Sequence, residues 1–279
     1  MDKDIQYYWG EPTSTIDWCE ENYAFSPYIA EFINTTTNLS FALLSFFGLY
    51  NSIKNNFNKS FIVAHLGVLL VAIGSWCFHM TLQYDMQLLD ELPMIYVACI
   101  MVWHSIEVYN RKKYGVGLIL FLFFYSAFVT YSYIIINNPV FHQVSYAILV
   151  ISIVYRSTYL VHHLPADLPR YDYIQPRLVQ LLKLSASGFI VAFLLWNIDN
   201  VFCTYLRQFR TMVPYALGSI SQLHGWWHNL TSIGCYYFVV YCEWVHQVLD
   251  DQNTDQYELV WVAGFICYLR KLKIDNKKL

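Results

Sequence analysis

The chain has 279 residues, of which 57% are hydrophobic, 19% aromatic and only 13% charged, and its mean hydropathy is +0.34. A soluble domain carries about 25% charged residues, so a water-soluble globular protein is excluded and a polytopic membrane protein is expected. A net charge of −3 gives no case for nucleic acid as a partner, and seven cysteines without framework spacing exclude a disulfide-rich secreted fold.

Residues 1–31 form a polar head that carries Asp2, Asp4, Glu11, Asp17, Glu20, Glu21 and Glu31. It lacks the basic n-region and apolar h-region of a cleaved signal peptide. The first apolar helix therefore reads as an uncleaved signal anchor. Apolar runs long enough to cross a bilayer, about 20 residues each, follow at 32–50, 60–82, 91–109, 115–136, 141–161, 180–204 and 216–242. These seven spans, with short connectors, predict an all-α membrane protein whose helix bundle occupies residues 32–245. The runs are continuous rather than alternating, and an open sheet cannot satisfy its backbone in lipid, so strands are not expected. The tail, 246–279, holds YELVWVAGFICYL at 257–269. That piece is too short to span and predicts an interfacial or re-entrant helix.

Orientation follows from the basic residues of the connectors. Lys54, Lys59, Arg111, Lys112, Lys113, Arg170, Arg177, Arg270, Lys271, Lys273, Lys277 and Lys278 fall on one side. Lys3, Arg207 and Arg210 fall on the other. The richer side is expected to be cytosolic, which places the N-terminus in the lumen or outside the cell and the C-terminus in the cytosol.

On this topology Ser75, His79, Asp90, His224 and His228 all lie in the lumenal half of the bundle. Ionisable residues inside a membrane segment are costly and are functional candidates by default. His224 and His228 stand i, i+4 on one helical face, the spacing by which one helix offers two nitrogens to a metal. That spacing alone suits helix-packing histidines equally well. The matching depth of His79 and of a carboxylate tips the reading to a metal site, and three histidines with one open position make the usual catalytic zinc arrangement. His65, His104, His142, His162, His163 and His246 lack such partners and read as packing or interfacial residues.

Ser75 lies one turn from His79 on the same face, where it could act as a nucleophile or as an oxyanion donor. No base stands at short spacing, which favours the donor. Asp90 and Glu91 open a helix, where the macrodipole favours acids, and the residues alone do not choose between them. Asp17, Glu20, Glu21, Asn22 and Glu31 are hard oxygen donors without the loop of an EF-hand. By spacing they fit a solvated acidic head better than a calcium site. Asn197, Asp199 and Asn200 read as a buried hydrogen-bond network. Cys19 and Cys203 alone clearly map to the lumenal edge, where oxidation is permitted. They are expected to pair and to hold the head over the mouth of the bundle.

The segments YWGEPTSTIDWCEENY, YIAEFINTTTNLSF, GSWCFHMTLQYDMQLLDELPMIY, FHQV, FLLWNIDNVFC and QLHGWWH resemble the alkaline ceramidases, nearest their type 3 (alkaline phytoceramidase) branch. The resemblance runs from about residue 7 to 242, and the tail after about 245 departs from it. It implies a seven-helix membrane hydrolase of the endoplasmic reticulum and Golgi that cuts the amide of ceramide, taken from the bilayer, into a sphingoid base and a fatty acid. It further implies His79, His224 and His228 as zinc ligands and Ser75 and Asp90 as the catalytic serine and aspartate. Asp17, Trp18 (through its carbonyl), Glu20, Asn22 and Glu31 match a calcium site. The wider superfamily also holds adiponectin-type receptors with a similar three-histidine zinc. A heptahelical receptor with a structural or vestigial metal is therefore the alternative.

Overall fold

A computed structural model describes residues 8–110, 114–249 and 256–272. Asp2, Lys3, Asp4, Arg111, Lys112, Lys113, Lys273, Lys277 and Lys278, used above for the head and for orientation, lie outside the described residues. In chain order the helices are α1 (Phe32–Thr37), α2 (Leu39–Lys54), α3 (Lys59–Thr81), α4 (Tyr84–Asn110), α5 (Gly115–Ile136) and α6 (Pro139–His162). They continue as α7 (Tyr171–Val201), α8 (Cys203–Met212), α9 (Tyr215–Ile220) and α10 (Leu223–Leu249), followed by strands β1 (Tyr257–Val262) and β2 (Ile266–Lys271).

Among the described residues six segments are long and apolar enough to cross a membrane: Phe32–Lys54, Lys59–Thr81, Tyr84–Glu107, Gly115–Ile136, Pro139–His162 and Tyr171–Val201. They agree with the first six predicted runs, with ends set by local chemistry. The side chains of Asn58 and Asn138 accept from the backbone N–H of Ser60 and Val140 and start α3 and α6. Pro139 occupies the first turn of α6, where its missing N–H costs nothing.

α10 departs from the last predicted run. Residues 215–220 fold as the separate α9, and α10 starts seven residues later than expected, at Leu223. Its N-terminus is capped by Asp199, whose Oδ1 accepts from Leu223 N at 3.2 Å. The helix packs chiefly against α7 and also against α2, α1 and α4. Surrounded by protein, it can carry polar residues that a lipid-facing helix could not. Glu243 is buried and accepts from Ser52 Oγ, with His65 Nε2 3.3 Å from the same oxygen. His65 thus has a partner that its sequence position did not disclose. The α7–α10 contact is close because Gly234 lies against Phe189 and the Ser185 carbonyl, which a Cβ would meet at 3.0 and 3.2 Å.

The helix expected over 257–269 is instead an antiparallel hairpin, with Tyr257 paired to Lys271 and Val262 to Ile266. Ala263 and Gly264 both take positive φ, +51° and +80°, the tight hairpin turn that matches strand twist. Tyr257, Leu259, Cys267 and Leu269 are buried, so the segment alternates with period two, a pattern that its length alone conceals. Tyr236 Oη donates to the Cys267 carbonyl at 2.5 Å and Tyr237 Oη to that of Phe265. Hydrogen bonds from Tyr236 and Tyr237 hold the hairpin against α10, and Asn55 Nδ2 and Arg170 Nη1 donate to the carbonyls of Leu269 and Tyr257. The hairpin shares one core cluster with Tyr236, Tyr237 and Val240 of α10. A boundary at 245 is thus not a structural one: α10 runs past it to Leu249 and the hairpin packs back on the bundle.

Candidate metal centre and the polar head above it

His79 sits in the last turn of α3, and His224 and His228 in the first two turns of α10. One ligand atom from each lies within 4.8 Å of the others, and all three side chains are buried. The ring centroids are 4.7 to 5.0 Å apart. Two rings are aimed by their outer nitrogens: His79 Nδ1 lies 2.5 Å from Glu31 Oε2, and His228 Nδ1 lies 2.9 Å from Thr37 Oγ1. Such partners fix the tautomer and orientation of a metal-bound imidazole. The His224 ring stacks on Trp18 at 4.0 Å. Three buried imidazoles, with no cation among them and two held by outer hydrogen bonds, suit one zinc ion.

Ser75 is buried one turn below His79 and faces the carboxylate of Asp90. The backbone sets this pair. Pro93 has no N–H to give to the Leu89 carbonyl one turn earlier in α4. At that level Gly74 of α3 approaches so closely that a Cβ would stand 2.2 Å from Leu89 O and 2.8 Å from Asp90 N. The two helices therefore touch through backbone where Ser75 meets Asp90. Glu91 has other partners: its Oε2 accepts from Tyr133 Oη and from Gln87 Nε2.

The head is stitched to the end of α3 by main-chain bonds. Glu31 N donates to His79 O and Ala30 N to Met80 O, both at 2.9 Å. Leu82, in the left-handed region at φ +53°, receives Thr13 N and Ser14 N on its carbonyl. The Glu20 carboxylate caps α1, accepting from Ile33 N at 2.6 Å and Asn34 N at 2.8 Å. Asn22 Nδ2 donates to Asp17 Oδ1 at 3.3 Å, and Asn34 Nδ2 to Glu31 Oε2 at 3.1 Å. Asn22 Oδ1 and Glu31 Oε1 are buried without a partner among the described residues. Burial pushes the Glu20 carboxyl up to about 7 and that of Glu31 up to about 8, with the charge of Asp17 adding to the second. Glu21 stands apart, paired with Arg210 at 3.1 Å. The Trp18 carbonyl accepts from Arg207 at 3.1 Å.

Cys19 and Cys203 form a disulfide with their Cα atoms 5.3 Å apart. Beside it the Cys19 carbonyl accepts from Arg207 Nε at 3.1 Å and Arg210 Nη1 at 2.8 Å. By sequence position alone those arginines register only as topological charges. Asp199 is buried in the network expected of it, but Asn197 and Asn200 bond only to carbonyls one turn back, those of Phe193 and Trp196. Thr37, Gln87, Tyr133 and His142 were not singled out as site residues by their sequence positions. Their shared signal is a polar side chain inside or beside an apolar run.

Helices of membrane length around a buried three-histidine pocket, with a serine–carboxylate pair one turn away, define a polytopic membrane protein with an internal pocket whose histidines could hold a metal ion. A family model described as Ceramidase matches residues 10–270. The chain is 45% identical to Alkaline ceramidase 3 of Mus musculus over 239 residues, 85% of this chain and 86% of that protein. It is 35% identical to Alkaline ceramidase YPC1 of Saccharomyces cerevisiae over 268 residues, 91% and 83% of the two chains. With Alkaline ceramidase of Arabidopsis thaliana the identity is 31% over 242 residues, 85% and 87%. The chain belongs to the ceramidase family and is an enzyme, a hydrolase of the alkaline ceramidase type. The family match extends past 242 and takes in the hairpin.

Proposed function

We propose that the protein is a zinc-dependent amidohydrolase that cleaves the N-acyl bond of ceramides within an endoplasmic reticulum or Golgi membrane, releasing a sphingoid base and a fatty acid. The observation that carries this reading is the buried cluster of His79, His224 and His228 beside the Ser75–Asp90 pair, in a chain of this family. α10 serves as a seventh span: at 27 residues it is about 40 Å long. The head then lies on the lumenal side, and a disulfide on that side supports the orientation.

His79, His224 and His228 would hold the zinc ion, which would supply Lewis acidity to the amide carbonyl and lower the pKa of water. Asp90 takes the proton of the attacking water and returns it to the departing amine nitrogen. Ser75 donates to Asp90 in the substrate-free protein. With the amide in place its hydroxyl turns to the developing oxyanion, which also frees Asp90 to accept a proton. Glu31 and Thr37 hold the rings of His79 and His228. The head binds calcium through Asp17, the Trp18 carbonyl, Glu20, Asn22 and Glu31. Two buried oxygens without a hydrogen-bond partner among the described residues, beside carboxyls that burial pushes up, support that assignment.

The test is ceramide hydrolysis by purified protein before and after chelation, with zinc restored. Turnover that is lost and recovered supports the reading. Full turnover by the metal-free protein, or stoichiometric zinc without hydrolysis of any ceramide, overturns it.

A further inference from the structure

We infer that Glu91, clamped by His142, Tyr133 and Gln87, is a positioning residue that aims Asp90 at its proton-transfer task. The inference rests on the amidohydrolase reading, in which Asp90 carries the proton. Asp90 and Glu91 are successive residues of α4 and so point about 100° apart around its axis. Asp90 faces Ser75 of α3. Glu91 takes Tyr133 of α5 and Gln87 of its own helix on its carboxylate. His142 Nε2 of α6 lies 2.9 Å from the Glu91 main-chain carbonyl.

The clamp is closed on every side. Gln87 Nε2 also reaches Tyr133 Oη at 3.0 Å, and Gln87 Oε1 accepts from Thr15 N of the head at 2.8 Å. Glu91, Gln87, Tyr133 and His142 are all buried. Leucine-like side chains would fill this volume without the desolvation that a buried carboxylate suffers. A polar network kept at that depth marks function by default.

The function follows from the backbone. Pro93 leaves α4 without its own hydrogen bond at Leu89, one residue before Asp90. The turn that carries Asp90 is therefore not held by its helix alone. Gly74 bears on it from one side, at Leu89 O and Asp90 N. His142 and Tyr133 bear on it from the other, at Glu91. The titratable groups around Glu91 are Asp90 and Tyr84 on α4, Tyr133 on α5 and His142 on α6. The Glu91 carboxylate is taken by Tyr133 and Gln87 while Asp90 faces Ser75, so Glu91 acts through Asp90.

The experiment uses the full chain loaded with zinc. His142→Leu removes the donor to Glu91. It should lower kcat on the order of 10²-fold, the scale set by misplacing a reacting group by about 1 Å, with KM and zinc content unchanged. His142→Gln, which can restore an N–H donor, should recover most of the loss. Tyr133→Phe, which deletes one hydroxyl, is the milder variant if His142→Leu folds poorly. Isotope-edited infrared spectra, referenced to Asp90→Asn, give the Asp90 carboxyl band independently of turnover, and that band should shift in His142→Leu and Tyr133→Phe. An unmoved band, or a kcat that falls equally in His142→Leu and His142→Gln in step with melting temperature, overturns the positioning role. A shifted band in a protein that hydrolyses no ceramide upholds the clamp and overturns the hydrolase reading instead.

Discussion

Glu31 Oε2 lies 2.5 Å from His79 Nδ1, while Oε1 of the same carboxylate is buried without a hydrogen-bond partner among the described residues. One side chain thus supports the histidine pocket and belongs to the acidic head. A change at Glu31 is felt by both.

Glu31→Gln should weaken zinc binding by about 10–100-fold, the usual cost of losing an outer-shell partner. Competition against a chelator of known affinity measures it. An unchanged affinity would separate Glu31 from the pocket.

Calcium should raise the melting temperature, by up to about 2.7 kcal/mol of stability at a hundredfold excess over Kd. Asp17→Ala and Asn22→Ala should abolish the rise. Glu20→Ala should abolish it too, and should also cost about 0.5–2 kcal/mol without calcium, because Glu20 caps α1. The pH dependence has a defined sign. The Glu20 and Glu31 carboxyls sit at about 7 and about 8 in the folded protein against 4.5 in the unfolded chain. The calcium-free native state therefore binds more protons, and its stability falls as pH rises between those values. Melting curves in a calcium-selective chelator should show that decline, and calcium should flatten it. A calcium-free protein that gains stability over the same range would contradict the crowding of these carboxylates.

Asp90→Asn should keep stoichiometric zinc and lose turnover, since an amide cannot accept the proton. Ser75→Ala should lose about 10²–10³-fold in kcat if the hydroxyl is one oxyanion donor. Mass spectrometry of a quenched reaction checks the role of Ser75. An acyl group trapped on it would make it the nucleophile.

Gly74→Ala places a methyl group where a Cβ stands 2.2 Å from Leu89 O. Backbone must shift, at about 1–3 kcal/mol, and the same movement should part Ser75 from Asp90. Activity should therefore fall further than stability. Parallel melting and turnover measurements decide this, and a fully active Gly74→Ala protein would mean that the helices part without disturbing the pair.

Tyr236→Phe with Tyr237→Phe removes two hydrogen bonds to the hairpin, each worth on the order of 1 kcal/mol. The double variant should melt lower than wild type. A chain ended after Leu249 should melt lower still, because it also exposes the core face that Leu259, Cys267 and Leu269 cover. If both melt like wild type, residues after 245 are an appendage after all.

Six of the spans were legible because their apolar runs are long and unbroken. α10 was harder: its polar residues face protein, so hydropathy misplaces its start. The three histidines were legible by depth and spacing, because helical geometry fixes both. What holds their rings was not. Glu31 reaches His79 from 48 positions away in sequence, and no local pattern encodes that distance. His142 was read as packing, since its partner is a main-chain carbonyl and carbonyls have no sequence signature. The hairpin is hidden because a short apolar run suits a helix equally by length, and only the alternating burial of Tyr257, Leu259, Cys267 and Leu269 separates the two.

Cys19 and Cys203 are separated by 184 residues. At about 5–20 residues per second, roughly 10–40 s of synthesis pass between them, during which Cys19 and the acids around it have no α8 to close on. The histidine pocket waits longer still, because two of its three members belong to α10, the last helix among the described residues. A nascent chain stopped after α8 could carry the disulfide but not a three-histidine metal. If the pocket takes zinc as proposed, the metal would enter only after α10 has inserted, and its presence in a molecule would report that His79, His224 and His228 have come together.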